Sequence, residues 1–135
     1  MQHPTHIRDD SGQTMVEFTL VLPILCVLLF GILEFGIVWN HYVTLTDAVR
    51  AGARKAAVSR PLGASGAVAA AQQAVINAAG DLDQSKLPAP TVTSTWAHGD
   101  PVRVCAQYPY SLSIGLLGIT VKSGNLNSCT QERVE

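Results

Sequence analysis

The sequence predicts an α+β chain in which a long amino-terminal transmembrane helix continues into a small domain with a second helix and a short antiparallel sheet. Three observations carry that expectation. Apolar residues crowd into the first 40 positions, and no charge interrupts them from Phe18 to Leu33. The segment that follows is rich in Ala and keeps a helical spacing. The last third turns to β-branched residues punctuated by Gly and Pro. With an anchor subtracted, 135 residues leave room for one small domain. A formal net charge of −1, with only 14% charged residues, offers no nucleic-acid surface and no acidic tail.

The apolar run continues past Glu34 through Phe35, Ile37, Val38 and Trp39. Coiled as a helix, Phe18 to Trp39 spans about 33 Å, enough for a hydrocarbon layer of about 30 Å. Its Leu, Ile, Val and Phe side chains each favour insertion by roughly 0.3–0.6 kcal/mol, which together outweigh one off-centre carboxylate. Trp39 and Tyr42 stand where an aromatic belt marks the far interface. Pro23 should bend the span, since it removes a helical donor. Glu34, within about two turns of the outer end, has three readings: protonated, paired with a partner subunit, or close enough to reach the interface. A cleaved secretory signal fits poorly. Arg8 is followed by Asp9 and Asp10, the apolar run is too long, and no A-x-A site follows it. A lipoprotein signal fails because Pro23-Ile24-Leu25 before Cys26 lacks small residues.

Beyond Trp39 the helical pattern extends to about Ser59. Ala48, Gly52 and Ala56 recur every fourth residue, as do Val49, Ala53 and Ala57. This small-residue seam suits either a partner helix or the chain's own domain. Arg50, Arg54, Lys55 and Arg60 read as a solvated basic face. Arg60-Pro61-Leu62-Gly63 stops the helix. A second helix is expected over about Ser65 to Ala79, with Val68, Ala71, Val75 and Ala78 on its apolar stripe and Gly80 as its cap. Asp81 to Pro90 reads as a polar link. Strands are expected over Thr91 to Trp96, over Val102 to Tyr108 with Val102, Val104, Ala106 and Tyr108 on one face, and over about Asn125 to Val134. Leu112 to Val121 is apolar but broken by Gly115 and Gly118; a loop or short helix packed on the sheet, or an exposed interaction patch, is expected there.

Of the three cysteines, Cys26 lies in the apolar run, while Cys105 and Cys129 fall on the last two expected strands. In an oxidising compartment they form a natural disulfide; in a reducing one they are two thiols. His3, His6, His41 and His98 have no metal-ligand spacing, and no Cys/His cluster suggests zinc. There is no phosphate-cradling loop and no nucleophile elbow. Asp81 and Asp83 read as turn residues, and Trp96 and Tyr108 as core or as the flanks of a groove. No enzyme and no cofactor are expected.

The richest stretch is Ser11-Gly12-Gln13-Thr14-Met15-Val16-Glu17-Phe18. A Gly precedes the apolar segment and a Glu follows five residues later, which resembles the recognition site of prepilin peptidase. Gly offers an unhindered scissile backbone, and a carboxylate among apolar residues calls for a cationic match. Mapped on this chain, the resemblance implies cleavage between Gly12 and Gln13, with Glu17 becoming the fifth residue and its match an amino terminus. Extended through Leu20-Val21-Leu22-Pro23, Leu29-Phe30-Gly31-Ile32-Leu33-Glu34-Phe35-Gly36, Leu45 to Arg54 and the closing Gln131-Glu132-Arg133, the sequence is similar to the TadE-like family of minor pseudopilins in tight-adherence (Tad/Flp) pilus systems. The likeness is close over about residues 11 to 60. One departure is the leader, which has a single Arg where such leaders are often more basic.

The resemblance implies a leader over 1–12, a transmembrane and extended helix over 13–60, and an α+β extracytoplasmic domain over 61–135. It further implies a single pass through a bacterial inner membrane with the amino terminus cytoplasmic, a role in assembling or initiating the pilus or a related secretion filament, and as partners the prepilin peptidase, other minor pseudopilins, the pilin and the assembly platform. An uncleaved signal-anchored envelope protein with a ligand- or partner-binding domain is the alternative. One clue points the other way on orientation: Arg8 alone precedes the span, whereas Arg50, Arg54, Lys55 and Arg60 follow it.

Overall fold

The computed structural model describes residues 10–114 and 119–135. Its elements are helix α1 (Asp10–Val58), helix α2 (Gly63–Ala78) and strands β1 (Thr91–Thr93), β2 (Pro101–Ile114) and β3 (Ile119–Arg133). Short 3-10 turns at Arg60–Leu62 and Gln84–Lys86 join them. The sheet is antiparallel in the order β1-β2-β3. This is the α+β architecture expected, one long apolar helix with a second helix and a three-stranded sheet.

Helix α1 has 49 residues and is therefore about 74 Å long. It runs through Pro23, so the missing donor there, which leaves the Thr19 carbonyl without its helical partner, does not end it. The most apolar window has a mean hydropathy of 2.6 and none of it is buried within the chain. That combination marks a membrane anchor, because a soluble helix of this character would have its apolar side covered.

The outer part of the same helix is the spine of the domain. Leu45, Ala48, Val49, Gly52, Ala53, Ala56 and Ala57 are buried, a stripe wide enough to face α2 on one side and the sheet on the other. The small-residue seam thus packs on the chain's own domain. Its contact on α2 is Ala67, Ala71 and Val75, with Ala79 just beyond. Ala78, expected on that stripe, is exposed, because the buried set steps by four residues rather than by a mix of three and four. The helix also opens at Gly63, two residues earlier than expected, and its cap is Ala79, whose N–H reaches the Val75 carbonyl, rather than Gly80.

From the sheet, β2 presents Val102, Val104, Ala106 and Tyr108 to this core, and β3 adds Ser128 and the half-buried Leu126. Tyr108 is part of the core and also walls a hollow beside α1. Its ring meets His41 edge-on at 5.4 Å, and its hydroxyl accepts the Asp83 N–H at 3.2 Å. Trp96, at a left-handed φ of 59°, packs against the same core, and the first strand ends at Thr93, earlier than expected. Past β3, the Val134 N–H bonds the Asp100 carbonyl at 2.9 Å and the Glu135 N–H bonds that of Ala57 at 3.1 Å, closing the sheet onto the end of α1.

The stretch 112–121 departs from expectation. Its described residues are strand rather than loop or short helix: β2 runs on to Ile114 and β3 begins at Ile119, with Ile114 opposite Ile119. Each half is short by itself, but the two pair with one another, and the partner's backbone supplies the hydrogen bonds that neither has alone. Residues 115–118, including Gly115 and Gly118, lie outside the described residues.

Candidate functional site

Gly12, Gln13 and Glu17 all lie in the first turns of α1. Gln13 donates its side-chain amide to the Glu17 carboxylate at 3.1 Å, an exposed pairing one turn apart. The same spacing puts the backbone nitrogen of Gln13 on the Glu17 side of the helix, so an amino terminus created at Gln13 would face that carboxylate.

Among the described residues nothing explains why residue 12 is Gly. A Cβ there would meet no atom within 4 Å, and the angle is not one reserved to Gly. The cost of Gly in a helix, about 1 kcal/mol relative to Ala, is therefore uncompensated inside the chain. It falls where fraying is easiest, at a helix end, and it lowers the work of opening the Gly12–Gln13 bond into the extended form a peptidase needs. Gly52 is the opposite case. A Cβ there would stand 2.3 Å from Val75 Cγ2 and 3.2 Å from the Ala71 carbonyl oxygen, so Gly is what lets α1 and α2 approach.

At the outer end of the anchor, Glu34 is half-buried rather than turned to the open side of α1. It lines two hollows between the helix and the β2–β3 pair. One, of about 280 Å³, includes Ile37, His41, Lys86, Tyr108 and Tyr110. The other, of about 300 Å³, includes Val27, Gly31, Phe35, Leu112 and Val121. The sequence reading did not bring Tyr110 or Lys86 to Glu34. The alternation that placed Val102 to Tyr108 on one face would have found Tyr110 and Leu112 if carried four residues further. Lys86 pairs with Asp83 at 3.0 Å. The Ser85 hydroxyl and then Lys86 hold the Asp83 carboxyl below its ordinary value, and Asp83 in turn holds Lys86 above its own. The Asp83 contribution is present above the ordinary carboxylate range and is lost as pH falls below it, so this exposed cap stays intact at neutral pH.

Cys105 and Cys129 are direct partners across β2 and β3 and form a disulfide, with 4.1 Å between their Cα atoms. Cys26 is free. Arg50, Arg54, Lys55 and Arg60 are all exposed, and the ion pair of Arg50 with Asp47 at 3.3 Å is worth little at such exposure. Among the described residues no group of His, Cys, Asp and Glu is placed to hold a metal ion.

Neither the curated proteins nor the solved structures contain a match to this chain. The model of the TadE-like protein family matches residues 12–54. The matched segment starts at Gly12, takes in Glu17, Glu34 and the whole apolar span, and ends at Arg54. Over its anchor and the first turns beyond it, about a third of its length, the chain is thus similar to TadE-like proteins.

Proposed function

We propose that the chain is a minor pseudopilin that takes part in assembling or initiating a tight-adherence pilus or a related secretion filament, and that it performs no chemistry of its own. The supporting observation is the start of α1. Gly12 and Glu17 are exposed and, among the described residues, answer to no packing need within the subunit, yet they head an uninterrupted helix that runs through the apolar span into the domain core. Residues that a subunit does not need for itself are residues for something else to read. In this reading the prepilin peptidase cuts after Gly12, and Glu17 then meets an amino terminus on the same or a neighbouring subunit. The anchor sits in the inner membrane with the leader in the cytoplasm, and the domain meets other minor subunits, the pilin and the platform outside it. The Cys105–Cys129 disulfide supports export, since such bonds persist in oxidising compartments. The basic residues after the span weigh less against it, because Arg50 lies eleven positions beyond Trp39.

Replacing Glu17 by Ala tests this. Removing one partner of a desolvated charge pair costs about 3–5 kcal/mol, so recovery of the subunit with its pilus partners should fall at least about tenfold. Insertion into the membrane should persist, and Glu17→Asp should lose less. Normal piliation and normal co-purification in the Glu17→Ala strain would contradict the proposal.

A further inference from the structure

Glu34 is the only acidic residue between Glu17 and Asp47, and it is half-buried on a helix whose apolar neighbours are mostly exposed. The cover comes from the sheet. β1 pairs only with Arg103 to Cys105, so from Ala106 onward β2 and β3 form a two-stranded ribbon. This ribbon passes beside α1 and closes with it the hollow of about 280 Å³ that Glu34 lines.

Across the hollow stand an ammonium from Lys86 and a phenol from Tyr110, over an apolar seat of Ile37 and Val38. Tyr110 is held there by its cross-strand partner Gly124. A Cβ on Gly124 would lie 3.1 Å from Tyr110 Cε1 and 3.3 Å from its hydroxyl oxygen, so Gly makes room for the ring. Among the described residues neither the Glu34 carboxylate nor the Tyr110 hydroxyl has a hydrogen-bond or ion-pair partner. Lys86 reaches Asp83 at 3.0 Å, yet an ammonium has further N–H donors to give.

Along α1 the hollow reaches from Glu34 to His41, about 10 Å of helix. Trp39 falls within that stretch and Tyr42 just beyond it, where an aromatic belt marks the interface. Headgroups occupy about 5–8 Å on each side of the hydrocarbon, so the hollow opens among them. One carboxylate and one ammonium line it, and a zwitterion answers both. An anionic headgroup would set its charge against Glu34, and a bare cation would leave Lys86 unmet. A volume of about 280 Å³ is the share of about nine waters, close to the heavy-atom count of one phosphoethanolamine group.

We propose that this hollow holds the headgroup of one phosphatidylethanolamine molecule, a reading that rests on α1 being a membrane anchor and on no role in a pilus. The lipid's primary ammonium donates to Glu34, its phosphate accepts from Lys86 and the Tyr110 hydroxyl, and its acyl chains leave past Ile37 and Val38. Phosphatidylcholine carries the same charges, but its trimethylated nitrogen has no N–H for the carboxylate.

The test is native mass spectrometry of the delipidated full chain in detergent. Dioleoyl phosphatidylethanolamine, phosphatidylcholine and phosphatidylglycerol are offered in equal amounts. One phosphatidylethanolamine should be retained per chain, at least about fivefold over either competitor. Along the N-methylated series retention should fall most at the last methyl, which removes the last N–H; this readout needs no variant. Glu34→Gln should bring phosphatidylethanolamine down to the phosphatidylcholine level, Lys86→Ala should weaken both, and Arg54→Gln should change neither. Equal retention of all three lipids, a preference for phosphatidylglycerol, or a phosphatidylethanolamine preference that survives Glu34→Gln would overturn the proposal. So would retention of none, which would leave Glu34 to a basic side chain of another subunit. Carbonate extraction from phosphatidylethanolamine–phosphatidylglycerol liposomes reports the anchor separately. A chain that is extracted loses anchor and headgroup site together, whereas one that stays without selectivity loses the site alone.

Discussion

Replacing Cys105 and Cys129 together by Ser is expected to lower the unfolding free energy of the domain by about 3–4 kcal/mol. The two are separated by 24 residues, and in the chain-entropy description a bridge over that span removes this much freedom from the unfolded chain. The loss should be felt because the core is thin. Its largest fully buried side chains are one Leu and a handful of Val, and much of the remainder is Ala. Ser is a fair replacement, since Cys129 is exposed and Cys105 half-buried, so neither variant places an unpartnered hydroxyl deep in the core. Denaturant titration in detergent, followed by the fluorescence of Trp96 with Trp39 as a background inside the micelle, measures the change. Reduction of the native chain should reproduce it, because Cys26 takes no part in the bridge. A difference below about 1 kcal/mol would mean that the ribbon and the helices hold the sheet without the bond.

The second large effect belongs to Gly52. Ala is the better helix former by about 1 kcal/mol, so propensity alone predicts that Gly52→Ala stabilises α1. Sterics oppose it. The new methyl would meet Val75 Cγ2 at 2.3 Å and the Ala71 carbonyl at 3.2 Å, one a stiff β-branched side chain with no exposure and the other backbone. Overpacking of this kind costs about 1–3 kcal/mol, so Gly52→Ala should be net destabilising and Gly52→Val should fail to accumulate as folded protein. The diagnosis has its own check. Adding Val75→Ala to Gly52→Ala removes the atom in the way, and the pair should be more stable than the sum of the two single changes. Gly31→Ala and Gly36→Ala, where a Cβ meets nothing within 4 Å, should not destabilise the isolated chain.

These two sites show what can be read from sequence and what cannot. The apolar span was legible because hydropathy sums over some twenty residues and no single position decides it. The inner face of β2 was legible because a period of two needs only four residues, Val102 to Tyr108, to declare itself. The seam of Ala48, Gly52 and Ala56 was visible as a seam, yet its target was not, since a small residue says that something approaches closely without saying what. The contact that settles it, Val75, is 23 positions away. The ribbon was misread for a related reason. Leu112 to Val121 was judged as one segment, whereas its two halves pair across a short connection, and pairing is a property of two strands together. At the candidate site, Gly12 and Glu17 stood out from spacing alone, while the company of Glu34 (Tyr108, Tyr110, His41 and Lys86) depends on where the ribbon lies.

The central claim is that α1 begins as a processing signal and becomes an anchor with a new terminus facing Glu17. Mass mapping of the amino terminus, on full-length chain expressed with and without a prepilin peptidase, tests it most directly. With the peptidase the mature chain should begin at Gln13, and a Gly12→Val variant, which keeps the helix exposed on that side but hinders the scissile backbone, should stay uncut. A chain that still begins at Met1 beside an active peptidase would contradict the account.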